Sequence, residues 1–376
     1  MIKIKDQFCV SISIGAKKDF ILVEDLDEFS ITEYSGGLLP TYQLSFITND
    51  ESVLAMLNEG QTIAVQYGKD TNSLEDTVLF PGEIRTSKEG DNKRVIEVSG
   101  LAVSLSYLTT PLSLISDKMS AVELMIKTAE IDFPRVSSNV TKSLDSQYWI
   151  QPGTSNRAFM SHLMLRSNIM PSFIATAIQA NGTFIIKDIA KVISENKPKW
   201  KFVRGKESSD FINYDADAVM TSRNLYFNQW TGYQKEKKVL NFSTGKIDSV
   251  STEFKPLIAM AKEIDKDSSI PKRFNGFEIM NDNVHENFWP AYDHNLVNLT
   301  QMSKVAYALS FQDSYRAIAP LDLAFLTERD TSDRGAASEF TSGLYFVTRI
   351  TKSVQGARYL ETAILNRESV NAARNT

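Results

Sequence analysis

The chain has 376 residues, 42% of them hydrophobic and 23% charged, with a net charge of −5 at neutral pH. That length gives two or three domains with real cores, and the acidic balance excludes a chain that binds polyanions with its whole surface. The best basic stretches, Lys17-Lys18 and Lys235 to Lys238, are short and read as solvated.

One cysteine, Cys9, excludes an internal disulfide framework and a Cys-rich zinc site, and reads as a small core residue. The opening MIKIKDQFCVSISIG is too interrupted by charge for a secretory leader. No stretch approaches the roughly 18 apolar residues of a membrane span. The expectation is assembly in a reducing cytoplasm, where a sequon such as Asn181-Gly182-Thr183 carries no glycan.

Residues 8 to 108 read as β-rich. In FCVSISI, Phe8, Val10, Ile12 and Ile14 alternate with Cys9, Ser11 and Ser13, giving one buried and one wet face. YQLSFIT from Tyr42 continues the pattern. A short helix is expected over Asp50 to Asn58, and GQTIAVQYG is a strand with glycines at both ends. TVLFPGEIRTSKEGDNKRVIEVSGLAVSL reads as a hairpin turning in the polar cluster Lys88 to Lys93. Strands at this spacing predict a barrel or sandwich.

The pattern changes after Pro111. SAVELMIKTAEI begins with Ser120 and has Glu123 three residues on, a capping box, with Val122, Met125, Ile126 and Ala129 on one helical face. SNRAFMSHLMLRSNI predicts a second helix with Phe159, Met160, Leu163 and Met164 as its stripe. Asn181-Gly182 between two apolar runs is a strong hairpin signal. Residues 111–198 therefore form a small α+β module.

KPKWKFVRG and SRNLYFNQW read as strands, and residues 236–299 as a polar, weakly periodic peripheral insertion. Strands resume at VAYALSF and LDLAFLTE. SGLYFVTRITKSVQGARYLETAILNR, from Ser342 to Arg367, is a hairpin with apolar residues on both faces of each strand. The expected layout is a first β domain over 1–110, the α+β module, and a second β domain built from 199–235 and 300–376.

Catalytic motifs do not emerge. His162 sits beside an apolar stripe, where a packed or surface histidine is the default. HENFWPAYDH holds His285, Glu286, Asp293 and His294 and begins like a zinc-protease helix. The fourth position after His285 is Trp289, however, and Pro290 next to it is expected to break a helix. No G-x-S-x-G elbow, Walker loop or dinucleotide fingerprint is present. Trp149, Tyr226, Trp230 and Trp289 read as core or interface anchors. No catalytic, metal or cofactor-binding residue is expected, which favours a structural protein over an enzyme.

Four stretches carry a resemblance: LFPGEIRTSKEGDNKRVIEVSGLAVSLSYL, YWIQPGTSNRAFMSHLMLRSNIMPSFIA, LSFQDSYRAIAPLDLAFLT and the terminal hairpin. In order and length the chain resembles the central baseplate hub of contractile-tailed bacteriophages, the T-even type especially. It also resembles the N-terminal part of type VI secretion spike proteins and the late-control protein D of temperate myophages. Residues 236–299 match least well.

The resemblance implies a mainly β fold with α+β insertions and two tail-tube-like β barrels per chain. It implies a homotrimer with pseudo-sixfold symmetry that joins a hexameric tail tube protein to a trimeric central spike protein. A channel for DNA passes through the ring, and baseplate wedge or tape-measure proteins are further partners. Location would be the virion tail, without a membrane, a cofactor or sequence-specific nucleic acid. The two-sided hairpin fits a barrel strand facing its own core and a neighbour, and nominates Tyr345, Val347, Tyr359, Ala363 and Leu365 for an assembly interface. The chain stops at Thr376 without the domain and needle that continue secretion spikes, so the spike is expected to be a separate protein. An acidic chain suits a channel that passes DNA without holding it. Two other readings compete: a distal tail or carbohydrate-binding protein of a non-contractile phage, and a tail-associated cell-wall hydrolase.

Overall fold

The computed structural model describes residues 2–4, 8–14, 25–89, 93–195, 197–204, 211–214, 219–222, 234–241, 244–253, 273–280, 285–312, 315–328, 341–356 and 358–368. The expected strand at 222–230, with Tyr226 and Trp230, lies outside them almost entirely, as does the turn at 90–92.

The first part supplies β1 (Ile2–Ile4), β2 (Phe8–Ile14), β3 (Leu26–Ser35), β4 (Thr41–Thr48), α1 (Glu51–Asn58), β5 (Ile63–Gly68), β6 (Leu74–Glu89), β7 (Lys93–Ala102) and α2 (Ser106–Thr109). Next come β8 (Pro111–Ile115), β9 (Met119–Ser120), α3 (Ala121–Asp132), β10 (Arg135–Ser138), β11 (Ser146–Gln147), β12 (Ile150–Ser155), α4 (Asn156–Arg166), β13 (Ile174–Ile178), β14 (Thr183–Asp188) and α5 (Ile189–Ser194). The remainder contributes β15 (Trp200–Arg204), β16 (Ile212–Tyr214), β17 (Val219–Ser222), β18 (Gln234–Asn241), β19 (Lys246–Glu253), β20 (Arg273–Met280), α6 (Phe288–Met302), β21 (Val305–Phe311), β22 (Leu323–Thr327), β23 (Gly343–Gln355) and β24 (Arg358–Arg367).

The fold is mainly β, and seventeen strands share one large curled sheet. Its ladder runs β1-β2-β5-β6-β7-β4-β3 through the first part of the chain. It then crosses from β3 to β23 and continues β24-β21-β17. The start of β23 also pairs with β22, which leads to β15 and β16. The hairpin β13-β14, turning at Gly182 with φ +81°, hangs from the end of β3 and takes β10 in parallel. β18, β19 and β20 form a separate three-stranded sheet.

The alternation in the sequence sets these strands. Phe8, Val10, Ile12 and Ile14 enter a first core with Phe29, Leu44, Val65, Tyr67 and Val98. Cys9 is buried too. A second core gathers Phe202, Tyr307, Leu309, Phe311 and Leu326. The terminal hairpin belongs to both. Its tip, Val354 and Tyr359, packs in the first core, where Phe8 stacks on Tyr359 with ring centroids 4.5 Å apart. Its base, Tyr345, Val347, Ile350, Ala363 and Leu365, packs in the second.

A β-bulge at Thr348 makes this possible. The register shifts between Val347 and Arg349, so the inward residues change from Tyr345 and Val347 to Ile350, Lys352 and Val354. Without the extra residue, one half of β23 would turn its apolar set outward.

Helix α3 begins as its sequence predicts. Glu123 N–H donates to the Ser120 hydroxyl, and Ser120 N–H donates to the Glu123 carboxylate at 2.9 Å. The expected cost of Ser120→Ala is about 1 kcal/mol, read as a fall of the urea midpoint with the urea dependence unchanged.

Helix α6 is a departure from the sequence reading, because it runs straight through Pro290. Proline there is the third helical residue, where the backbone N–H has no intrahelical acceptor in any case, so no bond is lost. Residues 288–299, expected in a peripheral insertion, instead pack with α4: Phe288 and Leu299 lie against the core that contains Phe159, Leu163 and Met164. The polarity that made the segment look like a loop is buried. Asp293, His294, Asn295, Asn298 and Gln301 are all at most 6% exposed.

Asp322 ties the parts together. Its carboxylate accepts from Lys187 Nζ at 3.3 Å, Lys199 Nζ at 3.0 Å, Trp200 Nε1 at 2.9 Å and Ala319 N–H at 3.2 Å.

Candidate functional site

The three histidines do not form a site. His294 Nε2 lies 3.0 Å from the Ser172 carbonyl, and burial holds its pKa below the ordinary value. His162 packs against Trp149 and Phe288, and its pKa is lowered by burial and then by Arg166. His285 Nδ1 accepts from Asn287 N–H. Among the described residues no group of three His, Cys, Asp or Glu could hold a metal ion, and no helix is long and apolar enough to cross a membrane.

The polar side chains of α6 serve to fasten it. Asn295 Nδ2 donates to the carbonyls of Met164, Leu165 and Ser167 at 3.2, 3.1 and 2.7 Å, closing the C-terminal end of α4. The Arg166 guanidinium lies 4.1 Å from the ring centres of Phe288 and Trp289 and 4.5 Å from that of Tyr292. Trp149 is 2% exposed and donates to the Met119 carbonyl. These aromatics are anchors within the chain.

The five nominated interface residues are also internal. Tyr345, Val347, Tyr359, Ala363 and Leu365 are at most 1% exposed and fill two of the chain's own cores. That corrects the expectation, because a side chain without surface cannot reach a neighbour. One face of the hairpin is filled by these cores, and β3 and β21 of the same chain take its two edges.

The opposite face of the same strands is open, and its composition is unusual. Register places Thr41, Thr32, Thr351, Thr362 and Ser310 in one rung across β4, β3, β23, β24 and β21. All five are half-buried. Thr32 and Thr351 hydroxyls are 3.0 Å apart, and those of Ser310 and Thr362 3.3 Å. The next rung is Ser99, Gln43, Ser30, Ser353 and Leu360. Neither rung carries a charge. Glu28 and Glu97 bound the face at one end, with Arg85 and Arg358 in the same rung and Glu83 beside Ser99, and Arg349 bounds it at the other. The acidic end is concave, a cleft of about 330 Å³ lined by Asp27, Glu28, Glu83, Arg85 and Glu97 among others. The face runs from strands that bury the first core to strands that bury the second.

A second surface feature is apolar. Among the described residues β8 and β12 pair only with each other, and Ile115 lies directly opposite Ile150. Ile115, Leu144, Tyr148 and Ile150 are 62–75% exposed. Ile115 and Ile150 stand side by side on the ribbon, and Leu144 and Tyr148 lie in the segment just before β12.

Sequence reasoning missed the hydroxyl rungs because five distant segments contribute one residue each. The available signal was the outward Ser/Thr set of each strand, which register alone assembles.

No protein-family model matches the chain, and no curated protein matches it. Solved structures do. A tail protein from Neisseria meningitidis MC58 superposes with a TM-score of 0.62 at 10% identity, over 96% of this chain and 97% of its own. A 43 kDa tail protein of prophage MuSo2 from Shewanella oneidensis gives 0.58 at 11% identity, over 97% and 100%. The Escherichia coli c3393 protein, a type VI secretion component described as similar to the T4 tail proteins gp27 and gp5, gives 0.53 at 9% identity, over 96% and 79%. The chain has the fold of these tail and secretion proteins along nearly its whole length.

Proposed function

We propose that this chain is a structural hub of a phage tail or a related contractile injection machine. Three copies form a ring with pseudo-sixfold character that joins a hexameric tail tube to a trimeric central spike and leaves a channel for DNA. Its partners are then a second and third copy of itself, the tube protein and the spike protein, with baseplate wedge or tape-measure proteins around them. Its place is the virion, its assembly is in the host cytoplasm, and its role is not enzymatic.

The observation that carries this reading is the pair of uncharged hydroxyl-rich rungs that run from β4 through β3, β23 and β24, the first on to β21. A wall that passes a duplex must not hold it, since each lysine or arginine that neutralises a phosphate adds a salt-dependent increment of affinity. The hydroxyl rungs carry no cation, and the arginines at either end, Arg349, Arg358 and Arg85, leave the middle of the face with little to hold. The fold likeness to tail proteins supports the same reading, as do the two β-lined cores bridged by the terminal hairpin. We assign the exposed ribbon of β8 and β12 to contact with a neighbouring subunit, because its paired Ile115 and Ile150 are exposed apolar side chains of the kind that contact surfaces cover.

One variant tests the arrangement. Thr351→Lys places a cation in the middle of the first rung. If the face lines a channel, light scattering gives a mass near three chains for wild type and variant alike. The variant then gains affinity for duplex DNA that falls steeply with salt, whereas wild type shows none. If the face is buried between subunits, the substitution breaks the assembly instead. A stable six-chain ring would favour a distal tail protein.

A further inference from the structure

The tip of the terminal hairpin buries a cluster of charge inside an otherwise apolar core. Lys352 is 2% exposed and lies directly across from Glu361 on β24. Its Nζ is 3.8 Å from Glu33 Oε1 on β3. Glu33 and Glu361 are each 1% exposed. The same Glu33 oxygen accepts from Ala180 N–H at 2.9 Å. Glu361 Oε1 accepts from the Tyr359 hydroxyl at 2.5 Å and from Arg316 N–H at 3.2 Å.

The other groups that face the cluster are known. Tyr67 of β5 and Tyr315 of the loop before β22 place their rings 5.9 and 5.1 Å from Lys352 Nζ. Glu75 of β6 interacts with Tyr67, Tyr315 and Glu33, and Arg316 approaches Glu361. Asp322 acts on Glu33 from further off and is itself held by two lysines. Three carboxyl groups thus surround one buried ammonium, with one guanidinium at the loop side.

On both buried carboxyls the bonds collect on one oxygen. Glu33 Oε2 and Glu361 Oε2 are buried without a hydrogen-bond partner. A bare, buried carboxyl oxygen is where the proton of a neutral acid sits at least cost, since an ionised one there would go uncompensated.

We propose that the hairpin tip is a proton-controlled clasp: a proton held by Glu33 and Glu361 around Lys352 seats the tip in the first core, and its loss loosens the tip while the base stays packed. Burial raises both carboxyls above their ordinary value of 4.5, against the pull of Lys352. A carboxyl raised in the folded state holds its proton longer than in the open state. The stability it gives is therefore complete below pH 4.5 and is lost as pH rises through the folded values. Opening that releases one proton grows up to tenfold per pH unit across that window.

Hydrogen exchange followed by mass spectrometry on the full chain, corrected for the intrinsic pH dependence of exchange, reads this directly. Backbone protection over 350–361 is expected to fall as pH rises from 4.5, while protection over 343–347 and 363–367 stays level. Glu361→Gln and Glu33→Gln, tested separately so that one folding failure does not end the experiment, are each expected to flatten the slope. Protection independent of pH, a change uniform along the hairpin, or an unchanged slope in both variants would overturn the clasp.

Discussion

Asn295→Asp is expected to destabilise the protein by about 3–5 kcal/mol. The wild-type amide is a donor placed among three acceptors, the carbonyls that end α4. Aspartate keeps the shape and replaces the donor with a second acceptor carrying negative charge. It would stand at the negative end of the helix dipole, buried, facing carbonyl oxygens at close range. Asn295 is 0% exposed, so water offers no relief. The check is the midpoint of urea unfolding followed by circular dichroism. Asn295→Ala is the control: it loses the bonds without adding repulsion and should fall between the two. An aspartate variant as stable as the alanine variant would mean that α6 moves away at little cost, and that the seam with α4 is not structural.

Lys352→Met is expected to cost a similar amount, about 3–5 kcal/mol, for the opposite reason. Methionine fills the space of the lysine stem but leaves Glu33 and Glu361 without their ammonium. Buried pairs gain little net stability, yet removing one partner strands the other. The diagnostic is therefore the double variant. Glu33→Gln combined with Lys352→Met should recover most of the loss, giving a large coupling in the mutant cycle. Additive losses would show that the two side chains do not act as a pair, despite the 3.8 Å between them.

Much of the fold was legible because it rests on local patterns. Phe8–Ile14 reads as a strand from its alternation, Ser120 and Glu123 announce α3, and Asn181-Gly182 announces the β13-β14 hairpin. Where the reading failed, a tertiary context had reversed a local rule. Pro290 looks like a break until its place in the first turn is known. Asp293, His294, Asn295 and Asn298 look like a solvated face, because nothing nearby in sequence says that carbonyls of α4 and of Ser172 will receive them. The candidate site was less legible still. Tyr345, Val347, Tyr359, Ala363 and Leu365 were nominated for their apolar character, which is also what sent them inward. The polar Thr351 and Thr362 beside them carry the outward face, and only register joins them to Thr32, Thr41 and Ser310.

The hairpin shared by both cores also fixes an order of events during synthesis. Thr32 meets Thr351 across 319 positions of chain, so β3 waits for its partner until nearly everything between has been translated. Until then residues 28–34 present an unpaired strand edge, and Phe8 lacks the ring that stacks on it. Neither half can be finished ahead of the other, and pairings this distant form slowly. A ribosome that stalls before the hairpin therefore releases a product with both cores incomplete and an unpaired, aggregation-prone strand edge. The last strands to be translated are thus the ones that complete both cores at once.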